Sequence, residues 1–367
     1  MFNKIRNTLV ILILIFILPA YASAERTDED GNEHQSSKTF SELGDNSSCT
    51  QNPLTNYPEN IGDDDFFSWE GSDEPVLKAG PGGSWDDSSV IGPEVLYTGT
   101  QYRMWYSGIS GTTYQIGYAT SYNGLSWEKS AHNPVLTVGE PGSWDDERVW
   151  APAVIYNPPL WQMWYVGYSD AAGSQIGYAT SEDGVNWEKY PGNPVFIPSI
   201  FDQWESNGVN APYVMVEDGI YHMWYSSHPH GSIGYAASAD GIHWERYSDN
   251  PIIEPYVTDD ELCPIYYLVS PTVVKLDEYH MWYQAGQSCK DSSTYFIVHS
   301  VSSDRVTWSE PDGAYGSFSW NAHYPTVISN HNGLLKQMWY VHSGRIWYAE
   351  ENQLDLRKFL PLVLRSK

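Results

Sequence analysis

The chain has 367 residues and carries 46 Asp and Glu against 19 Lys and Arg, a formal charge of −27. That balance excludes binding along a nucleic-acid phosphate backbone. Three cysteines, Cys49, Cys263 and Cys289, exclude a disulfide-framework mini-domain and any Cys-x-x-Cys zinc site, while 17 Trp and 28 Tyr are an aromatic excess that needs a structural explanation.

Lys4 and Arg6, the apolar run from Leu9 to Leu18 and Ala22-Ser23-Ala24 follow the order of a secretory signal peptide, with cleavage expected after Ala24. As a retained anchor the run is short, since a span takes about 20 apolar residues. Removing it leaves 17 bases against 46 acids, a formal −29, on a chain expected outside the cell or at its surface, monomeric and without stable membrane insertion. Residues 25–65 are polar and acidic with few large apolar side chains, and read as a disordered linker.

From Phe66 the chain is a repeat. Met-Trp-Tyr recurs at 104–106, 163–165, 223–225, 281–283 and 338–340, spaced by 59, 60, 58 and 57 residues. Behind the copies follow Ile116 to Ser121, Ile176 to Ser181, Ile233 to Ser238, and weaker forms at Phe296 to Ser302 and Ile346 to Glu350. A Ser-x-Asp/Asn-Gly-x-x-Trp turn ends at Trp127, Trp187 and Trp244, with a Gly-less relative at Trp308. Alternating β-branched and aromatic runs between Gly, Asn, Asp and Pro predict four short strands per repeat: in the second, Val149–Tyr156, Gln162–Gly167, Gln175–Thr180, and Trp187 through Phe196.

One four-stranded antiparallel sheet per repeat is a propeller blade, so an all-β, five-bladed β-propeller over 66–350 is predicted, with a tail at 351–367. Trp69-Glu70 to Leu77 matches the fourth-strand pattern of Trp127 to Leu136 yet precedes the first Met-Trp-Tyr, and the last repeat stops after its third strand. The N-terminal strand is therefore predicted to complete the last blade and leave no free edge. A solenoid or a sandwich fits a sixty-residue period less well.

A face of such a ring collects the starts of the inner strands, which align on Pro93, Pro152, Pro212, Pro271 and Pro325. Eight residues before the first three stand Trp85-Asp86, Trp144-Asp145 and Trp204-Glu205. Their acids either converge on the axis as catalytic carboxylates or cap their loops, and recurrence favours the loops. The turn acids, Asp183 and Asp240 among them, fall on the opposite face. Residues that break the repeat are better candidates for function: Glu94 is the one acid after an aligned proline, and Trp150, Asn210, His323 and Tyr324 supply the aromatic and polar mixture that suits a sugar ring. Cys263 and Cys289 are placed to form a bridge on this face.

From Phe66 to Glu350 the chain resembles the five-bladed glycosidase superfamily of the family 43 arabinanases and xylosidases, the family 32 fructosidases and the family 130 enzymes. The carriers are the Met-Trp-Tyr strands, the Ile-Gly-Tyr-Ala-Thr-Ser strand and Trp150-Ala151-Pro152. The resemblance implies a carbohydrate partner and glycoside hydrolysis, and in its arabinanase-like members a central calcium near the place of His323; no other cofactor is expected. Where the family 43 pattern places catalytic acids, this chain has Gly92, Ala153 and Asn210. Either Glu94 as general acid pairs with Asp86, Asp145 or Glu205, or the protein binds glycan without cutting it, or it serves as an interaction scaffold.

Overall fold

The computed structural model describes residues 68–228, 231–256, 265–289, 292–311, 321–329 and 336–352. The signal segment, the linker, the tail beyond 352, Cys49 and Cys263 lie outside the described residues, and with Cys263 the expected bridge to Cys289.

The fold is all-β, with one 3-10 turn at Gln203–Glu205. The first strand among the described residues is β1 (Ser68–Gly71). The first repeat follows as β2 (Ser89–Tyr97), β3 (Tyr102–Ser110), β4 (Thr113–Ser121) and β5 (Glu128–Lys129). The second is β6 (Arg148–Asn157), β7 (Leu160–Ser169), β8 (Gly173–Ser181) and β9 (Glu188–Lys189), and the third β10 (Gly208–Glu217), β11 (Ile220–His228), β12 (Ile233–Ser238) and β13 (Glu245–Arg246). The fourth has β14 (Ile265–Lys275), β15 (Tyr279–Cys289) and β16 (Ser292–Ser302); the fifth has β17 (His323–Ser329), β18 (Lys336–His342) and β19 (Arg345–Asn352). Within each repeat successive strands pair antiparallel, and β1 pairs with β19, Ser68 opposite Asn352 and Gly71 opposite Ala349.

The outer strands are shorter than their sequence pattern suggests. β9 ends at Lys189, and pairing resumes only at an isolated bridge between Phe196 and Ile176. Asn193 explains the gap: its Oδ1 accepts the Tyr178 N–H at 2.8 Å and its Nδ2 donates to the Tyr178 carbonyl at 2.9 Å, so a side chain replaces the backbone ladder beside Pro194, which has no N–H. Asn133 and Asn250 do the same for Tyr118 and Tyr235. The fourth repeat has no such Asn, and its sheet is three-stranded among the described residues rather than the four-stranded one expected; beyond Trp308, Ser309 reaches Val301 through its N–H, which donates to the Val301 carbonyl, and its Oγ, which accepts the Val301 N–H.

Met-Trp-Tyr occupies the centre of each second strand and is buried in all five copies. The core is divided into clusters that each draw on two neighbouring repeats; Trp105, for instance, packs with Val154, Met163 and Ala179 of the second repeat. One cluster joins the ends of the series, setting Leu77, Val90 and Met104 against Trp339, Val341 and Ile346. The inner strands follow the same order, β2 beside β6, β6 beside β10, β10 beside β14, β14 beside β17, and β17 beside β2.

The turns between third and fourth strands fasten this arrangement. In the second repeat Asp183 Oδ1 accepts the N–H groups of Val185 and Asn186, both at 2.8 Å, which holds its carboxyl far below the usual range. The turn leaves the Gly184 carbonyl to accept two indoles, its own Trp187 at 3.1 Å and Trp105 of the preceding repeat at 2.8 Å. Trp164 reaches Gly241, Trp224 reaches Arg305, and Trp339 of the fifth repeat reaches Gly124 of the first at 2.9 Å.

Candidate functional site: an aromatic mouth beside a narrow cavity lined by the inner strands

All five inner strands make the same irregularity at the aligned proline. The ladder slips between Ile91 and Glu94, Trp150 and Ala153, Asn210 and Tyr213, Val269 and Thr272, and His323 and Thr326. At each slip the residue before proline has positive φ: Gly92 54°, Ala151 48°, Ala211 42°, Ser270 56° and Tyr324 50°. Such a backbone costs a side-chain-bearing residue about 1–3 kcal/mol and persists where the surroundings hold it. Here the Ala151 and Ser270 N–H groups donate to Ser107 Oγ and Ser226 Oγ of the preceding repeats, both at 2.9 Å.

The bulges turn their residues toward a common cavity of about 40 Å³, lined from all five inner strands. Glu94 is the one carboxyl among the lining residues, and no Lys or Arg lines it. Glu94 is buried, and its Oε2 accepts a long 3.4 Å bond from Thr326 Oγ1. Burial without a cation raises its carboxyl to about 8, and the bonds from Thr326 and the Val154 N–H offset this only in part. Tyr213, also on the lining, has its phenol pushed up by burial and by Glu94.

At the strand starts and hairpin ends of the same edge stand aromatic rings that neighbour the lining residues without lining the cavity themselves. Trp150 meets Tyr114 edge-on at 6.1 Å, and Tyr295 lies 4.8 Å from His323 while its hydroxyl is bonded to that of Tyr266 at 3.1 Å. Tyr324 lines the cavity itself. Asn210 Oδ1 accepts the N–H of the adjacent Ala211 at 2.8 Å and thereby braces the bulge of the third repeat. Burial and His342 depress the His323 imidazole to about 4, so it is neutral in ordinary media. Among the described residues no group of three His, Cys, Asp or Glu converges to hold a metal, and His323, an imidazole tilted against the Tyr295 ring, does not fit a calcium centre, which takes oxygen ligands.

The other three acids occupy a different place. Asp86 accepts from Ser84 Oγ at 3.0 Å, Tyr106 Oη at 3.3 Å and Lys129 Nζ at 2.6 Å. Asp145 repeats this with Ser143, Tyr165 and Lys189, and Glu205 with the Ser199 N–H, Tyr225 and Arg246. None of the three lines the cavity with Glu94. The tryptophan before each acid explains the motif. A Cβ on Gly117 would lie 2.6 Å from the Trp85 ring and one on Gly234 2.5 Å from that of Trp204, so the glycine of Ile-Gly-Tyr-Ala is the seat of the indole. The fourth repeat has Val298 and the fifth Trp347 at that register, and neither has the Trp-acid loop.

The structure thus gathers Glu94 and Tyr324 at the cavity, sets Trp150 and His323 in the aromatic mouth, and keeps Asp86, Asp145 and Glu205 in ion pairs. Sequence reasoning passed over Tyr114, Tyr213, Tyr266, Ser270 and Tyr295. Ser270 and Tyr213 flank aligned prolines and differ between repeats, a signal that could have found them; the other three become visible only once the hairpins are folded.

No family model matches the chain. An uncharacterized protein of Mycobacterium tuberculosis is 28% identical over 232 residues, 58% of this chain and 72% of that protein. A 1,2-beta-oligomannan phosphorylase of a Thermoanaerobacter species is 29% identical over 134 residues, 33% of this chain and 44% of the enzyme. A glycosyl hydrolase from Bacteroides ovatus superposes with a TM-score of 0.59 at 13% identity, over 78% of this chain and 93% of that one. The chain has the fold of the propeller-like glycoside hydrolases.

Proposed function

We propose that this chain is an exported, closed five-bladed propeller that binds a saccharide across the mouth of its axis. The supporting observation is the juxtaposition at one edge of the inner strands: aromatic rings beside a proline-lined cavity that carries a single protonated carboxyl and a few hydroxyls. Aromatic faces with a few fixed polar groups are the usual means of holding a sugar ring. Closure is supported by the inner-strand contacts, the bond from Trp339 to Gly124, and β1 at the edge of the last sheet.

Hydrolysis calls for two carboxyls about 5–10 Å apart across the scissile bond. The described residues bring one to the cavity, which favours binding over cleavage. A catalytic role is supported by one observation, that Glu94 holds its proton at neutral pH as a general acid must. With the likeness to an oligomannan phosphorylase, this makes phosphate a nucleophile worth supplying in the test.

The test is to titrate neutral oligosaccharides, β-1,2-mannobiose among them, by calorimetry and to assay the same set for cleavage with and without inorganic phosphate, in wild type and Glu94→Gln. Binding without turnover supports the binding reading. Turnover lost in Glu94→Gln would replace it with catalysis, and no binding by any saccharide would remove both.

A further inference from the structure

Resting on the saccharide reading, we propose that the axial cavity is a specificity pocket for one exocyclic hydroxymethyl group of a neutral hexose, whose ring lies across the aromatic mouth, with Ser270 Oγ and the Glu94 carboxyl as the hydrogen-bonding partners of the inserted hydroxyl.

Size is the first ground. By the measure in which one water needs about 10–15 Å³, a cavity of about 40 Å³ takes about three or four non-hydrogen atoms. That is fewer than the six of a pyranose ring and enough for a –CH₂OH arm. The second ground is an unmet hydrogen bond. Ser270 lines the cavity, is 7% exposed, and its Oγ has no partner among the described residues, while its own N–H is held by Ser226. A buried hydroxyl left in that state costs about 1–3 kcal/mol unless a ligand or water meets it. The third is charge. A neutral acid and hydroxyls line the cavity without any Lys or Arg, so it has no counter-charge for a carboxylate or sulfate and can both donate to and accept from a hydroxyl. Ser270 also belongs to a position that the repeat varies as Gly, Ala, Ala, Ser and Tyr, so its hydroxyl is not demanded by the bulge.

Methyl glycosides of glucose, galactose and mannose are to be compared by saturation-transfer NMR and calorimetry with the pentopyranosides of the same ring stereochemistry, which lack only the hydroxymethyl. The whole chain is used, as wild type, Ser270→Ala and Ser270→Gly. The glycine variant removes the hydroxyl while accepting the positive φ, so loss of folding cannot mimic the result. For at least one pair the hexoside is expected to bind ten-fold or more tighter, and both variants should reduce that ratio below about threefold (about 0.6 kcal/mol) while binding of the pentoside persists. Equal binding of hexoside and pentoside, or a ratio unchanged in both variants, overturns the pocket and leaves the saccharide reading standing. No binding by any glycoside or longer glycan overturns both.

Discussion

Glu94 is the residue at which energetics and function meet. Its carboxyl, ordinarily near 4.5, is raised to about 8 in the fold because burial leaves it without a cation. The folded chain therefore holds this proton more tightly than the unfolded chain does. The group's contribution is complete below about 4.5, is lost progressively as pH rises toward 8, and stays level above that. Tyr213 and Tyr324, the other titratable groups on the lining, are pushed up by burial and stay neutral throughout the window. Glu94→Gln keeps the shape and removes the titration, so its stability should rise relative to wild type between pH 4.5 and 8 and then hold a constant offset of a few kcal/mol, read as a higher melting temperature. A pH-independent difference in thermal melts would show that Glu94 titrates normally. Gly117 poses a simpler problem of space. An added Cβ would meet the Trp85 ring at 2.6 Å and the Tyr106 ring at 2.7 Å, so Gly117→Ala should cost about 3 kcal/mol by denaturant titration, with much of it recovered when Trp85→Ala is added.

Among the elements, the three Trp-acid loops show how a motif that looks chemical can be architectural. Each sets an indole on a glycine of the third strand and anchors itself through a carboxylate to a cation on the short outer strand, Lys129 on β5, Lys189 on β9 and Arg246 on β13. Lys129→Met should lower stability by about 2–4 kcal/mol, since it strands the buried Asp86, yet leave saccharide affinity within about twofold of wild type. A selective loss of binding at unchanged melting temperature would return Asp86 to the site. The threefold recurrence of these acids already argued for loops in the sequence, as did the five-fold recurrence of Met-Trp-Tyr for packing. What the sequence could not show is partnership: nothing in the spacing of Asp86 and Lys129 marks them as a pair. Nor does it show that Asn193 replaces a stretch of backbone ladder, which ends β9 after two residues.

At the scale of the molecule, period and order were legible because one unit is copied five times, and the displaced Trp69 to Leu77 segment foretold the pairing of β1 with β19. The cavity was not legible, since its size depends on a bulge that recurs at five prolines and on the side chains that happen to follow. Removing residues 68–77 should expose the edge of β19 and the Leu77 contact with Ile346. The expected result is a shift to larger species than the intact chain forms in light scattering, together with a lower melting temperature. Unchanged size and an unchanged melting temperature would mean that the strand is dispensable.

The pairing of Ser68 with Asn352 also governs the order of events as the chain is made. The first of the described strands to leave the ribosome has no partner until almost 280 further residues have followed, so it must wait while four repeats assemble without it. Because the two positions end side by side, a short linker between them and a new opening at the Asn157–Leu160 hairpin would produce a permuted chain whose paired strands emerge together, and the wait at the seam would disappear.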